Sequence, residues 1–304
     1  MVSEKPKFGV IGSHSMVGSR YCELLGESVD LVKGDLSTEP PVDITSSRSV
    51  EDFLRKFNFS HVILFSAFTD VDAAENQRGD KDGACWRINV EGVRNIVEAC
   101  QKNSTRLIFI STDFVFDGTS GPYSEKDQVG PNLDMVSWYG ITKIDAEKII
   151  QKELPEAIII RIAYPYRGPF TQKDDIAKRI LRLYQGHKLY PMFTDQFITP
   201  TFIDDLAPAI AILTSEGKSG IFHVATPEPT TQFEFAKKLI ATFGGDAERV
   251  KSGSLREFLK KDGSTPRPAK GGLKTAKIEE TGFVPTTWRE GIQIIHKQSN
   301  GQLI

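Results

Sequence analysis

The chain is poor in cysteine, in long apolar runs and in charge of one sign. It has three cysteines in 304 residues (Cys22, Cys85 and Cys100) and no Cys-x-x-Cys motif. This argues against a disulfide scaffold and favours buried free thiols in a reducing cytoplasm. The apolar run near the N-terminus covers only residues 8–11, and no segment approaches the roughly 20 apolar residues of a membrane span. We therefore expect neither a secretory signal nor a membrane partner.

The charge balance excludes further classes. Lysine and arginine number 38 against 40 acidic residues, for a net charge of −2. No basic excess suggests nucleic acid as a partner. The five histidines are scattered, without an i, i+4 pair or a carboxylate at ligand spacing, so no metal site is expected. The length is sufficient for one large or two smaller domains.

Short apolar runs alternate with amphipathic stretches through the first 165 residues. The apolar runs lie at 8–11, 29–32, 62–66, 107–111 and 157–162. Patterns of helical period follow most of them, at 17–25, 49–57, 84–102 and 139–152. Runs that are apolar on both faces and separated by helices predict a parallel sheet covered on both sides. We therefore expect an α/β fold of the Rossmann type, with a doubly wound parallel sheet.

The regular alternation weakens after Arg161. Residues 164–200 are rich in proline, aromatic residues and glycine around one helical pattern at 174–184. A helix at 203–213 and a strand at 220–225 resume the alternation, and a proline-rich break leads to a further helix at 232–243. We predict a dinucleotide-binding domain formed by 1–163 and 201–226, and a smaller substrate-binding domain formed by 164–200 and 227–304.

A loop with the sequence GSHSMVG, at 12–18, follows the first predicted strand and opens a helix. Gly12 and Gly18 would let backbone amides approach a pyrophosphate, whose charge the helix N-terminus favours. Ser15 stands where the dinucleotide-binding fingerprint has a further glycine. We hypothesise that its hydroxyl donates to the diphosphate; the alternative is that its side chain crowds it. His14 faces either the diphosphate or solvent.

Asp35 lies near the end of the second predicted strand, 17 residues after Gly18. An acidic side chain there accepts hydrogen bonds from ribose hydroxyls and repels a 2′-phosphate, which favours NAD. Lys33 and Arg20 are near enough in sequence to complicate this interpretation, and a turn role for Asp35 stays open. The expected cofactor is therefore NADPH or NADH.

Tyr139 and Lys143 are one helical turn apart, downstream of a predicted strand that ends in Ser111-Thr112. A phenol and an ammonium at this spacing share a helix face. The positive charge is expected to lower the pKa of Tyr139 from about 10 toward working pH. Thr112 would fix a substrate oxygen beside the phenol. The three residues predict proton transfer coupled to hydride transfer.

The same spacing recurs in YQGHK at 184–188. Gly186 falls inside that turn and favours a helix end, and no Ser-Thr strand end precedes it. Tyr184 is therefore interpreted as structural. Acidic residues after the third strand are interpreted as N-terminal caps, namely Asp70, Asp72 and Glu75.

Several motifs occur in the order found in one protein family. They are the segment 8–18, VDIT at 42–45, FSAFTDVDAAE at 65–75, STDFVFDG at 111–118, YGITK at 139–143, DQFITPTFIDDLA at 195–207 and PRP at 266–268. The chain resembles the dTDP-4-dehydrorhamnose reductase branch of the extended short-chain dehydrogenases over nearly its whole length. STDFVFDG and the DQ-x-x-x-PT pattern are specific to this branch, whereas Tyr-x-x-x-Lys is common to the superfamily.

The resemblance implies a role for each matching position. The catalytic residues would be Thr112, Tyr139 and Lys143. Tyr139, Lys143 and the loop residues would contact the cofactor. Further cofactor contacts would come from Met16, Val17, Asp35, Asp43, Ile44, Ser66, Ala67 and Phe68. Met16 and Val17 would lie near the diphosphate, and Asp43 and Ile44 near the adenine. Substrate contacts would come from Thr112, Phe114, Gln196 and Thr201. Asn89 would be structural or would relay water, and Pro200-Thr201 is equally well a strand-entry turn.

The implied activity is NAD(P)H-dependent reduction of a 4-keto-6-deoxy sugar nucleotide in the cytoplasm, as in dTDP-rhamnose biosynthesis. A homodimer is left open. A nucleotide-sugar 4-epimerase would use the same three catalytic residues. A dehydratase would carry an Asp-Glu pair after the threonine, whereas here Asp113 precedes Phe114. The regulatory beta subunit of methionine adenosyltransferase resembles the same branch, so a non-catalytic cofactor-binding regulator is a further alternative.

The chain departs from the family pattern at four places. Ser15 replaces a glycine, FSA at 65–67 replaces Asn-Ala-Ala, and Phe114 replaces a tyrosine. Tyr139 follows Pro131 by eight residues, where the family has about four. The lengthened segment is expected at the pocket edge, where it would affect the choice of substrate more than the chemistry.

Overall fold

The computed structural model describes residues 6–25 and 29–304. Residues 1–5, part of the segment for which no secretory signal is expected, lie outside the described residues. The chain forms two compact units. The first comprises residues up to Val115, Ser137–Arg161 and Ile210–Phe222, and the second comprises Phe116–Val136, Ile162–Ala209 and His223–Ile304. Residues 116–136, which we placed in the dinucleotide-binding domain, thus cluster with the second unit.

A six-stranded sheet forms the centre of the first unit, in the order β2-β1-β3-β4-β5-β8. The strands are β1 Lys7–Ile11, β2 Asp30–Gly34, β3 His61–Leu64, β4 Arg106–Thr112, β5 Ile158–Ile162 and β8 Gly220–His223. β1 pairs in parallel with both β2 and β3, and β3 with β4. The chain changes direction across the sheet between β1 and β3, which is where open α/β sheets bind ligands. The predicted doubly wound Rossmann fold is confirmed.

Apolar residues on both faces of these strands explain why the sheet is covered on both sides. All five residues of β5 are buried, as are four of five in β1. This unit contains helices α1 Met16–Leu25, α2 Ser47–Phe57, α3 Val71–Glu75, α4 Ala84–Trp86, α5 Gly92–Asn103 and α6 Trp138–Glu153. Buried residues of α2, α5 and α6 form one core cluster with residues of β1, β3, β4 and β5. Burial of this apolar surface is the main stabilising term for the unit.

The single helix predicted over 84–102 is interrupted. A π-helical turn, Arg87–Glu91, separates α4 from α5. Such a turn inserts one residue into the helical ladder and often occurs at functional sites. The hydrophobic period alone could not show it, because the apolar pattern continues on both sides of the turn.

The second unit has its own core. The remaining helices are α7 Ile176–Gln185, α8 Leu206–Ser215, α9 Gln232–Thr242, α10 Leu255–Leu259, α11 Ala276–Glu279 and α12 Trp288–Gln298. Buried residues of α7, α9 and α12 form one cluster that includes Phe235, Trp288 and Ile292. Two short strand pairs complete it, β6 Met192–Phe193 with β10 Ser252–Gly253 and β7 Phe197–Ile198 with β9 Thr230–Thr231.

The second Tyr-x-x-x-Lys copy is structural, as predicted. Helix α7 ends with Gly186 as its C-cap. The Tyr184 hydroxyl accepts from the Asp246 N–H at 2.8 Å and donates to the Asp246 carbonyl. The three cysteines are buried free thiols. Over the described residues, no helix combines the length and hydropathy that crossing a bilayer requires.

Candidate active site

The glycine loop lies at the switch point of the sheet, directly after β1. Gly12 has φ +83°, and a Cβ added there would lie 2.5 Å from the Ser66 backbone nitrogen. A Cβ on Gly18 would lie 2.2 Å from the Gly12 carbonyl oxygen. Both positions therefore need glycine, because the loop packs against the chain that leaves β3 and against itself.

Ser15 is the N-cap residue of α1. Its Oγ accepts from the Gly18 N–H at 3.0 Å, and its carbonyl accepts from the Ser19 N–H. The hydroxyl thus already satisfies one of the free amides of the helix end. Its proposed contact with a diphosphate stays a prediction, and would use the hydroxyl proton. Met16 and Val17 are half-buried in the first turn of the same helix.

One observation shows that the loop fits a dinucleotide. The Ser13 Oγ is buried and has no hydrogen-bond partner among the described residues. A buried hydroxyl without a partner is costly, and a phosphate oxygen at the N-terminus of α1 would satisfy it. The residues predicted to hold a diphosphate are therefore suitably arranged.

Asp35 follows β2 and is tied to the loop. Its Oδ2 accepts from the His14 N–H at 3.1 Å, and its Oδ1 accepts from the Ser37 hydroxyl at 3.1 Å. The exposed His14 ring bonds Ser37 Oγ at 2.6 Å. The Arg20 guanidinium pairs with Glu23 at 3.0 Å. A carboxylate at this strand end is suited to accept from ribose hydroxyls, so the role of Asp35 stays a prediction.

Asp43 and Ile44 behave differently from each other. Asp43 is half-exposed, and its Oδ1 accepts from the N–H and hydroxyl of Thr45. The Ile44 side chain belongs to the hydrophobic core, and its carbonyl accepts from Asn95 at 2.8 Å. Of the two residues predicted beside an adenine, only Asp43 presents a half-exposed side chain.

Asn89 joins the segment after β3 to the catalytic helix. Its Oδ1 accepts from the Phe68 N–H at 2.9 Å, and its Nδ2 donates to the Phe68 carbonyl and to Thr142 Oγ1. Thr142 in turn donates to the Tyr139 carbonyl. Of the two roles considered for Asn89, the structural one agrees with these bonds. Ser66, Ala67 and Phe68 are half-buried on this segment.

The structure brings Thr112, Tyr139 and Lys143 together. Thr112 is the last residue of β4, and its side chain is near enough to the Tyr139 hydroxyl to lower the pKa of that phenol. Lys143 Nζ donates to the Ile110 carbonyl at 2.8 Å and lies 3.9 Å from the centre of the Phe109 ring. The Ser137 hydroxyl caps α6 by accepting from the Gly140 N–H. The strand and the capped helix therefore fix the three side chains.

Burial dominates the electrostatics of the trio. Tyr139 is 9% exposed and Lys143 1%. Desolvation raises the pKa of Tyr139 well above its ordinary value, while the neighbouring Thr112 side chain lowers it. Desolvation also lowers the pKa of Lys143 to about 7. The expectation that the Lys143 charge brings the pKa of Tyr139 down toward working pH is therefore wrong in this structure, because both groups are removed from water.

A buried ion pair beneath the trio was not found from the sequence. Arg161 Nη2 and Nε donate to Glu147 at 2.6 and 2.9 Å, and the Ser111 hydroxyl donates to Glu147 Oε1 at 2.6 Å. Glu147 is one turn beyond Lys143 on α6, and its charge raises the pKa of Lys143 against the effect of burial. The only sequence signals were charged residues inside otherwise apolar patterns.

The predicted substrate residues lie in both units. The Phe114 ring is edge-on to the Tyr139 ring, with centres 6.0 Å apart. In the second unit, Gln196 Nε2 donates to the Tyr164 hydroxyl at 2.9 Å, while its buried Oε1 has no partner among the described residues. Thr201 accepts from the Ala163 N–H and donates to the Val224 carbonyl. These bonds favour the structural alternative for Thr201.

The lengthened segment between Pro131 and Tyr139 contains a 3₁₀ turn, Leu133–Met135. Asn132 caps this turn by accepting from the Asp134 N–H. Leu133 and Met135 are exposed, and Val136 is buried. The added residues thus form a local turn of their own, and helix α6 keeps its Ser137 cap.

The Rossmann unit has a glycine loop at its strand switch point and a Thr-Tyr-Lys trio on β4 and α6. Together these features define an oxidoreductase of the short-chain dehydrogenase class. A family model described as the RmlD substrate binding domain matches residues 8–300, and the chain belongs to this family. The predicted branch of the extended short-chain dehydrogenases is thereby confirmed.

Named relatives agree with this membership. The chain is 31% identical to a dTDP-4-dehydrorhamnose reductase of Mycobacterium tuberculosis over 96% of its length and 93% of the relative's. It is 28% identical to a probable low-salt glycan biosynthesis reductase of Haloferax volcanii, over 89% and 90%. The crystal structure of a Bacillus anthracis dTDP-4-dehydrorhamnose reductase in complex with NADP superposes with TM-score 0.85 at 26% identity, over 97% of this chain and all of that one.

Proposed function

We propose that this protein reduces the 4-keto group of a dTDP-linked 4-keto-6-deoxy sugar with NADPH or NADH. The observation that carries the proposal is the buried group of Thr112, Tyr139 and Lys143, held at the end of β4 and on α6, in a chain of this family. Two of the relatives named above are dTDP-4-dehydrorhamnose reductases. The bound nicotinamide would supply the hydride.

Tyr139 is suited to give the proton. Because burial raises the pKa of its phenol, the hydroxyl stays protonated at neutral pH and can donate as negative charge develops on the keto oxygen. The Thr112 hydroxyl, which lies beside Tyr139, would orient that oxygen. Proton donation by a positioned acid contributes roughly 10²- to 10⁴-fold to the rate.

Lys143 supports binding more than proton transfer. Its pKa of about 7 makes it partly charged at neutral pH. The Ile110 carbonyl holds its ammonium against the Phe109 ring. We assign it the nicotinamide ribose as partner, with the diphosphate assigned to residues 12–18 and the ribose of the adenosine half to Asp35.

The test is to follow nicotinamide absorbance with NADPH and with NADH against a panel of dTDP-4-keto-6-deoxy sugars. Tyr139→Phe should bind cofactor normally while kcat falls by at least about a hundredfold. Tyr184→Phe is the matched control. Tyr184 has the same spacing to a lysine, but its hydroxyl hydrogen-bonds only the Asp246 backbone among the contacts described. Unchanged turnover in Tyr139→Phe would remove the assignment.

The same assay separates the alternatives. A 4-epimerase would convert the sugar without net loss of reduced cofactor. A cofactor-binding regulator would show no ketosugar-dependent oxidation and would co-purify with a partner enzyme.

We further propose a cytoplasmic location, which the three free thiols support. The homodimer stays a prediction, which light scattering on the purified protein would test.

A further inference from the structure

We propose that Glu75 is a positioning residue for Tyr139, an inference that rests on the proposed function. Glu75 is the last residue of α3, and its Oε2 accepts from the Trp138 N–H at 2.8 Å. Trp138 is the first residue of α6 and directly precedes Tyr139. Glu75 was interpreted from the sequence as an N-terminal cap after the third strand. It caps a helix, but the one that begins 63 residues later.

The first turn of α6 needs this acceptor. The first amides of a helix have no partner within the helix. The Ser137 side chain satisfies the Gly140 N–H and its carbonyl satisfies the Ile141 N–H, whereas the Trp138 N–H is satisfied by Glu75. A carboxylate is also favoured at this positive end of a helix. Glu75 therefore adds a second side-chain acceptor to the cap of the turn that carries the phenol.

Glu75 is itself held in place. Arg78 Nε donates to its Oε1 at 2.5 Å, and Arg78 Nη2 to its Oε2 at 3.3 Å. The Trp138 ring stacks on Trp86, with centres 5.7 Å apart and planes at 22°. At the other end of α3, Asp70 caps the helix by accepting from the Ala73 N–H. The Arg78 ion pair and the Asp70 cap thus hold the Glu75 carboxylate in position against α6.

This contact connects the predicted cofactor segment to the acid. Residues 66–68 lead through Asp70 into α3, which ends on Glu75. Asn89 forms the second connection, from Phe68 to Thr142. Small displacements of a reacting group cost large factors in rate, so loss of the Glu75 contact should reduce kcat more than it changes KM.

Two conservative variants separate reach from charge. Glu75→Asp keeps the charge but is one methylene too short to reach Trp138. Glu75→Gln keeps an oxygen that can accept at the same place. We expect kcat to fall about tenfold in Glu75→Asp and Glu75→Ala with KM within about twofold, and Glu75→Gln to stay within about threefold of the parent. The matched control is Glu91→Ala, since Glu91 also accepts from a tryptophan N–H and pairs with an arginine but does so from Trp86 Nε1 and Arg94.

Amide hydrogen exchange supplies a readout that does not depend on turnover. Exchange over residues 138–140 should be about tenfold faster in Glu75→Asp than in the parent, and unchanged in Glu75→Gln and Glu91→Ala. Equal kcat in Glu75→Asp and the parent, or equal impairment of Glu75→Gln and Glu75→Ala, would overturn the proposal. If the parent turns over no ketosugar, the proposed function fails, and the exchange rates alone decide whether Glu75 holds this turn.

Discussion

The Glu147–Arg161 ion pair should behave as one energetic unit. Its side chains are 1% and 2% exposed, and three hydrogen bonds of 2.6 to 2.9 Å converge on the carboxylate. Glu147→Gln removes the charge that compensates the buried guanidinium, and Arg161→Met removes the charge that compensates the carboxylate. Breaking a buried pair from one side typically costs about 3–5 kcal/mol, which is a large part of the 5–15 kcal/mol that ordinarily stabilises a folded protein.

The double variant Glu147→Gln/Arg161→Met should cost less than the sum of the single substitutions, because it leaves neither charge buried alone. The remaining loss would come mainly from the hydrogen bonds that Arg161 no longer donates, at about 1 kcal/mol each. Urea unfolding followed by circular dichroism measures all three free energies of unfolding. Single variants that each cost under about 1 kcal/mol, or costs that simply add, would refute the reasoning.

Glu147→Gln should also change the pH dependence of cofactor binding. Because the Glu147 charge raises the pKa of Lys143, its removal in Glu147→Gln should lower that pKa below about 7. Lys143 would then lose its proton at a lower pH. The pH dependence of cofactor binding should shift in the acidic direction by a measurable fraction of a unit, and an alkaline shift would contradict the assignment.

Two further predictions concern the loop and the second unit. Gly18→Ala should abolish cofactor binding measured by nicotinamide fluorescence, since its Cβ would lie 2.2 Å from the Gly12 carbonyl oxygen. The control is Gly217→Ala, which should cost only stability, because Gly217 has φ +63° and open space around it. Burial raises the pKa of Asp205 to about 6, so the folded protein holds the carboxyl proton more tightly than the unfolded chain does. The stability that this bound proton contributes is lost as pH rises from about 4 to about 6, by up to about 3 kcal/mol. Asp205→Asn should flatten the dependence of Tm on pH in that window; an unchanged slope would show that another group titrates there.

The sequence by itself determined the parts of this protein that depend on local pattern. Alternating apolar runs and helical periods gave the order of strands and helices, because each element buries a face whose spacing is visible in the chain. The glycine loop and the spacing of Tyr139 and Lys143 were visible for the same reason. Gly186 likewise identified the end of α7 and hence the structural role of Tyr184.

Only the tertiary structure decided what depends on where distant segments meet. The raised pKa of Tyr139 follows from burial, which spacing to a lysine does not report. The partner of Glu75 is 63 residues away, and the Ser111 that bonds Glu147 is 36 residues from it. The π-helical turn that aims Asn89 at Phe68 is hidden within a continuous apolar pattern. In each case a side chain's role is set by the neighbour that packing supplies, and one-dimensional periodicity contains no information about that neighbour.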